Sequence, residues 1–512
     1  MEDIIIQVES LQIFNHFWLT LFLLVPLVLI ARTTVAGTRY SPILIVVVFG
    51  LAMGHILVAS GVSTPGLPDF QIVDMISRTT IIPLIASFFV GGQELRKLVS
   101  KIDINTQEME IPSLEEISVG TNRSQLIHIV RTFFLLIGVE TAYRVAVGIQ
   151  GGDLTQYYAL LAYTGIVCSL VLLDYKATVK NKRMYIGKGV LETFALILVL
   201  IATYHISSLI KPYIALPQIF FSMLITAGLG AVFYKWHIGP TLKSLLFAGL
   251  PIVLAGNFMI GGSRIAEVTS ISGMNSVLAF GFFGQIMWMF GGIALMMIFA
   301  DTYKVRNLAP GLAGGLSHAG LTGACTAGDL GREAANRTPI MINLPFTAHV
   351  FVFSILAVSA ERGTLMLVPS LIVFAVGVVL TAMSLRTLKT ADEVDGKEIK
   401  GLMQFSLGWQ LVAIFGSFII LSVFGMQLNH VALATSSSIS HFGLLAAIQG
   451  EMFGAEGAML IPFIFAMPFL VHPFVFFLFG KAMARDGRMP HIPVYVLVAV
   501  GVAGVIYSLT AI

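Results

Sequence analysis

The chain has 512 residues, 57% of them hydrophobic and only 11% charged, with mean hydropathy +0.90 and a formal net charge of +3. That is too little polar surface to cover a soluble globule, and the charge leaves no electrostatic footprint for nucleic acid. Cys168 and Cys325 both lie in apolar stretches and do not read as a disulfide framework. These properties describe a polytopic membrane protein.

Sixteen apolar segments follow in chain order, near 14–31, 41–61, 72–93, 126–149, 154–173, 185–209, 216–234, 244–262, 276–300, 308–328, 338–359, 364–385, 403–426, 431–449, 458–480 and 490–511. Most approach the ~20 residues that cross a hydrocarbon core about 30 Å thick. The first, HFWLTLFLLVPLVLIA, follows an acidic rather than a basic start, so it reads as a membrane helix and not as a cleaved signal. Segments 308–328 and 431–449 are short and rich in Gly, Ser and Thr. Each is open to three readings: a helix, a broken helix or a re-entrant loop. The expected fold class is all-α, with about 14–16 hydrophobic segments and interrupted helices. The longest polar connection, about 94–125, is too small for a nucleotide-binding domain, and no GxxxxGK[ST] phosphate loop occurs, which argues against ATP-driven pumping. Basic residues cluster at 32–39, 94–101, 176–188, 235–243 and 481–488. These loops share one side if the amino terminus is outside and all sixteen segments span, and equally if 308–328 and 431–449 both re-enter.

A repeat dominates the second half. SHAGLTGACTAGDLGREAANRTPIMINLPFTAHVFVF, from Ser317, matches SHFGLLAAIQGEMFGAEGAMLIPFIFAMPFLVHPFVF, from Ser440, at 15 of 37 positions without a gap and 123 residues apart. The matches include Ser317/Ser440, His318/His441, Gly331/Gly454, Glu333/Glu456, Pro345/Pro468 and His349/His472. Interrupted, Gly-rich apolar segments at corresponding places of two halves are the best sequence pointer to a transporter's binding site. Re-entrant segments would leave three crossings per copy and set the copies upside down to each other, whereas two spanning segments would make them parallel. Two weaker echoes involve the first half: FFVGG at 88–92 against FMIGG at 258–262, and 163–183 against 318–338.

The stretches YSPILIVVVFGLAMGHILVASGVSTPGLPDF (40–70), IPLIASFFVGGQELRKL (82–98), TGIVCSLVLL (164–173) and KGVLETFALILVL (188–200) resemble the monovalent cation:proton antiporter superfamily. The likeness covers about 40–200 and, through FMIGG, part of 244–300. It implies an inverted-repeat secondary transporter in which Thr164 belongs to a broken helix and Glu192, followed by Thr193, is the membrane carboxylate. The chain departs from that family in placing Glu rather than Asp there, in its TGIVCS sequence, in its segment count and in its histidine-bearing repeat.

Several residues carry candidate chemistry. Glu192 lies in an apolar run, where a charged carboxylate costs about 2.5–3.5 kcal/mol on insertion scales. The competing reading is a helix start beside Lys188 in interfacial water. Asp329, Glu333, Glu451 and Glu456 stand near the interrupted segments and offer hard oxygen ligands for Na⁺ or protons, or else face water. His318 and His441, each preceded by a serine (Ser317, Ser440), are suited to proton relay or to packing between helices. His349 and His472 read first as packing residues. Arg131 and Arg332 are candidate anion ligands, and Glu140 with Arg144 forms an i, i+4 pair.

Three stretches are expected: 1–210, a first antiporter-like helical repeat; 211–360, a second helical repeat with its interrupted segment at 308–328; and 361–512, an additional helical unit repeating the 317–353 motif at 440–476. The expected function is secondary active exchange of Na⁺ or K⁺ for protons across the cell (inner) membrane, with no enzymatic activity and no cofactor. The partners are the monovalent cation, protons and the lipid bilayer, with a second copy of the chain as a candidate. The alternatives are a Na⁺-coupled symporter of a small anion and a membrane redox or metal protein using the paired histidines.

Overall fold

In hydrocarbon, backbone N–H and C=O groups find partners only within the chain, so apolar stretches of this length fold as helices. The computed structural model describes residues 21–34, 42–61, 79, 81–99, 122–147, 165, 183–214, 216, 218–236, 249–326, 330–391, 396–441, 444 and 470–510. Among these the protein is mostly helical, without strands. Five helices are long and apolar enough to cross a membrane, at Gln125–Ala142, Met274–Phe299, Leu367–Lys389, Gly396–Val423 and His491–Thr510. The pair Glu333–Phe346 and His349–Arg362, bent by 42°, makes a sixth if it counts as one span. The expected segment at 154–173 lies, apart from Gly165, outside the described residues.

The chain divides into two units: Met1–Ala36 with Ile45–Pro212 and Phe221–Ser263, and Gly37–Leu44 with Tyr213–Phe220 and Arg264–Ile512. In the first unit the main helices are α1 (Ile43–Ala59), α2 (Ile81–Val99), α3 (Asn122–Val147), α4 (Arg183–Ile210), α5 (Gln218–Val232) and α6 (Leu250–Ser263). Two helix crossings there admit only glycine. A Cβ on Gly54 of α1 would stand 1.9 Å from the Met259 carbonyl oxygen of α6, and one on Gly262 of α6 2.1 Å from that of Leu51. The pair α2–α5 repeats the arrangement, with Gly230 on the Phe89 oxygen and Gly92 on that of Ala227, both at 2.0 Å. Small residues let membrane helices approach to backbone contact, where dispersion replaces the missing hydrophobic drive. Both glycine pairs of the FFVGG and FMIGG echo therefore sit at such crossings.

The second unit contains α7 (Met274–Phe299), α8 (Val305–Gly315), α9 (Ala319–Thr326), α10 (Arg332–Phe346), α11 (His349–Arg362), α12 (Leu367–Lys389), α13 (Gly396–Val423), α14 (Leu428–Ile439), α15 (His472–Met483) and α16 (His491–Thr510). The α10–α11 bend follows Pro345, whose ring cannot continue the i→i−4 ladder. Stretches 211–360 and 361–512 interlock. Helix α12 packs on α13, where a Cβ on Gly408 would meet the Thr381 nitrogen at 2.6 Å. At corresponding positions α16, the last helix, packs on α7, where a Cβ on Gly501 would meet the Met287 nitrogen at 2.5 Å. Each copy's last helix thus covers the other copy's first.

Candidate functional site

The repeated Ser-His pair marks a helix break in both copies, and the backbone makes the same turn twice. After α8, the Ser317 amide donates to the Gly314 carbonyl (3.1 Å) and the His318 amide to that of Ala313 (3.0 Å). After α14, Ser440 donates to Ser437 (3.1 Å) and His441 to Ser436 (3.0 Å). This pattern of i−3 and i−5 bonds is the Schellman helix ending, with its left-handed residue at φ 45° for Ser317 and 48° for Ser440. Glycine normally fills that place. The two breaks meet each other: His318 and His441 form an antiparallel backbone bridge. All four residues are buried, His318 and His441 fully.

The imidazoles then restart the chain. The Leu321 amide donates to His318 Nδ1 (3.1 Å), so that ring caps the N-terminus of α9, and the Leu444 amide donates to His441 Nδ1 (2.9 Å) in the same way. A neutral imidazole has one lone pair, and this bond uses it, so the ring proton must lie on Nε2. Facing those protons are two glutamines, Gln285 of α7 at 2.6 Å from His318 Nε2 and Gln410 of α13 at 2.8 Å from His441 Nε2. Only the carbonyl half of an amide receives a proton, so both are assigned with oxygen toward the ring, which also partners two buried amide oxygens. The same amide end of Gln410 lies 2.7 Å from the Ser317 hydroxyl, which then donates to it.

The histidines that close the repeat complete the cluster by crossing over. His349, at the start of α11, stands with Nε2 2.8 Å from His441 Nε2, and its Nδ1 donates to the Phe346 carbonyl at 3.0 Å. His472, at the start of α15, packs its ring 4.8 Å from that of His318, matching the 4.5 Å between His349 and His441. Each copy's closing histidine thus contacts the other copy's opening one. The Gln-bearing helices meet as well. Trp288 of α7 donates to the Ser417 hydroxyl at 2.9 Å, whereas Trp409, earlier on α13, packs against Gly292, later on α7. The contact order descends on one helix as it ascends on the other.

The centre of this unit is therefore a buried set of imidazoles, amides and hydroxyls. It can pass protons between rings and offer neutral oxygens to a small cation. The His349 and His441 nitrogens are in direct hydrogen bond, and among the described residues no three His, Cys, Asp or Glu side chains converge to hold a metal.

Of the residues expected from sequence, Ser317, His318, Ser440 and His441 come together here. Glu333 opens α10 with its side chain 54% exposed, paired to Arg306 of α8 at 3.1 Å. Arg332 precedes it on α10, and Glu192 with Thr193 lies on α4; their side chains are outside the described residues, as are Thr164, Asp329, Glu451 and Glu456 entirely. Arg131 and Glu140 are buried on α3. Gln285 and Gln410 went unread, although a signal exists: Gln-x4-Phe-Gly occurs at 285–291 and at 410–416. His349 and His472, read first as packing residues, lie in ring contact with the opening pair.

The serine at each break gives a first prediction. A non-glycine residue in the left-handed region costs about 1–2 kcal/mol, and the Ser440 hydroxyl has no partner among the described residues. Ser440→Gly should raise stability by about 0.5–1 kcal/mol after the greater freedom of glycine in the unfolded chain is subtracted. A thermal melt in detergent reads this, and a lowered melting temperature would refute it. No family model, curated protein or solved structure matches this chain.

Proposed function

We propose that this chain is a secondary active transporter built from inverted repeats, exchanging a monovalent cation for protons across the cell membrane, with its ion path at the meeting of the two helix breaks. The observation that carries this reading is the antiparallel bridge between the same residue of two copies, His318 and His441. An antiparallel bridge at equivalent residues is what a two-fold axis between the copies produces, and an axis lying in the membrane plane makes the copies inverted. The opposed contact order of α7 and α13 supports the same arrangement. Irregular backbone at membrane depth is tolerated only inside protein or along a watery cavity, and broken helices are where such transporters bind ions. The site's polar groups are neutral oxygens and imidazoles, chemistry that suits a small cation and protons better than a large anion. Glu192 on α4 is retained as the candidate carboxylate of the first unit.

Proteoliposomes with an imposed pH gradient test the proposal, with Na⁺, K⁺ and Li⁺ supplied in turn. One of these cations should dissipate the gradient, and the wild-type protein should show saturation with that cation. Gradient decay indifferent to all three would refute the exchange. The rival, Na⁺-coupled symport of a small anion, has the buried Arg131 in its favour; it requires Na⁺ uptake that depends on the anion supplied.

A further inference from the structure

We propose that His318 and His441 are the proton carriers of the transport cycle, each taking its proton on Nδ1, the atom that accepts the amide of Leu321 or Leu444. Proton loading and closure of the broken helices are then mutually exclusive. This rests on the transporter reading above and goes beyond it by naming the atoms that couple protons to movement.

Both rings are held by the same bonds. Nδ1 accepts a backbone amide three residues on, from Leu321 or Leu444, and the Nε2 proton faces a glutamine. A second proton has only Nδ1 to go to, and once there it confronts the leucine amide as donor against donor. That amide bond is lost, which at His318 uncaps α9, while the imidazolium keeps its Nε2–H bond to the glutamine. On deprotonation the lone pair returns and the cap re-forms. Capping groups in this role are usually Ser, Thr, Asp or Asn. A histidine there in both copies converts a structural cap into one that responds to protons.

The titratable groups facing these rings from the elements packed around them are His472 on α15 and His349 on α11. The other neighbours are Gln285 on α7, Gln410 on α13 and Ser317 at the first break. His349 is the second acceptor facing the His441 Nε2 proton. Its Nδ1 proton is committed to the Phe346 carbonyl, so its bare Nε2 shares the His441 Nε2 proton with the Gln410 oxygen. A proton arriving at His349 Nε2 breaks that ring-to-ring bond, so on this path too uptake requires the crossing to part. One carrier per copy gives two proton sites per chain.

His318→Asn and His441→Asn separate capping from protonation, because the Asn oxygen caps a helix but does not titrate. Each variant is reconstituted beside wild type and read twice: for Na⁺ or K⁺ uptake driven by a pH gradient, and for isotope exchange of that cation at equal pH. In each Asn variant gradient-driven uptake should fall several-fold further than cation-for-cation exchange does; His→Ala should lose both. Asn variants that retain gradient-driven uptake overturn the carrier assignment. Wild type without any cation dependence overturns the transporter reading instead. If the variants do not fold, ¹⁵N-histidine NMR of wild type decides. Two rings should show bare Nδ1 with protonated Nε2 and convert to imidazolium as pH falls, in step with loss of the Leu321 and Leu444 amide bonds. Rings that stay neutral while the protein remains folded and active overturn it.

Discussion

Arg337→Ala should destabilise the second unit by about 3 kcal/mol, the lower end of the range for breaking a buried ion pair from one side. The Arg337 guanidinium lies 3.0 Å from Glu398 Oε2, with their side chains only 16% and 10% exposed. Asn307 donates to the other Glu398 oxygen at 2.5 Å and accepts from Arg337. The three residues come from α10, α13 and α8, so the network ties the first broken helix to both neighbours. Removing the arginine leaves a largely buried carboxylate with one neutral donor, and much of its desolvation goes uncompensated. Arg337→Met with Glu398→Leu should recover most of the loss, because it removes both charges and keeps the volume. A double-mutant cycle on melting curves in detergent separates the pair's coupling from the single costs. Equal destabilisation by the double variant and the arginine variant would refute the account. The exposed Arg306–Glu333 pair nearby serves as contrast, since Glu333→Gln should change stability by less than about 1 kcal/mol.

The same network is asymmetric between the copies. At the repeat offset of 123, His430 corresponds to Asn307 and Leu460 to Arg337, so the second copy has no matching charges at those two places. The charged network on the first broken helix therefore has no counterpart at the equivalent sequence positions of the second. In a transporter that alternates between two arrangements, such a difference biases the resting state, because symmetric copies alone would make the two arrangements equal in energy.

What the sequence discloses here is what one copy can say about itself. The Ser-His breaks at 317–318 and 440–441 leave a local mark, a Gly-rich stretch before the first and a Ser-rich one before the second, but the same residues also read as an unbroken helix or a re-entrant loop. The bend after Pro345 is legible, as are α7, α12, α13 and α16, whose apolar runs are long and uninterrupted. The pairing of His441 with His349, 92 residues apart, and of His318 with Gln285 depends on which copy crosses which. Periodicity along a helix carries no record of that. Gln285 and Gln410 are single polar residues in apolar helices, and only the match of their flanking Phe-Gly to each other sets them apart. The exposure of Glu333 is equally non-local, because its partner Arg306 lies on another helix, 27 residues earlier.

The glycines of the first unit should prove the least tolerant positions in the described structure. Gly54→Ala, Gly92→Ala, Gly230→Ala and Gly262→Ala each place a methyl 1.9–2.1 Å from a backbone carbonyl oxygen, where no side-chain rotation gives relief. The helices must separate along their whole contact, so the cost should exceed the ~1–3 kcal/mol typical of overpacking and lower the yield of folded protein sharply. Gly228→Ala is the internal control. It lies on α5 one turn-half away from Gly230, a Cβ there meets nothing within 4 Å, and the substitution should be neutral or favourable by up to about 1 kcal/mol. The four costly positions also form two equivalent pairs. Gly54 and Gly230 are 176 residues apart, Gly92 and Gly262 are 170 apart, and each pair meets the other's helix at matching carbonyls, Met259 with Phe89 and Leu51 with Ala227. If α1–α6 and α5–α2 are two copies of one contact, Gly54→Ala and Gly230→Ala should cost the same within about 0.5 kcal/mol, as should Gly92→Ala and Gly262→Ala. Unequal costs within the pairs would mean that the echo of FFVGG and FMIGG reflects nothing more than two helices independently selected for small residues.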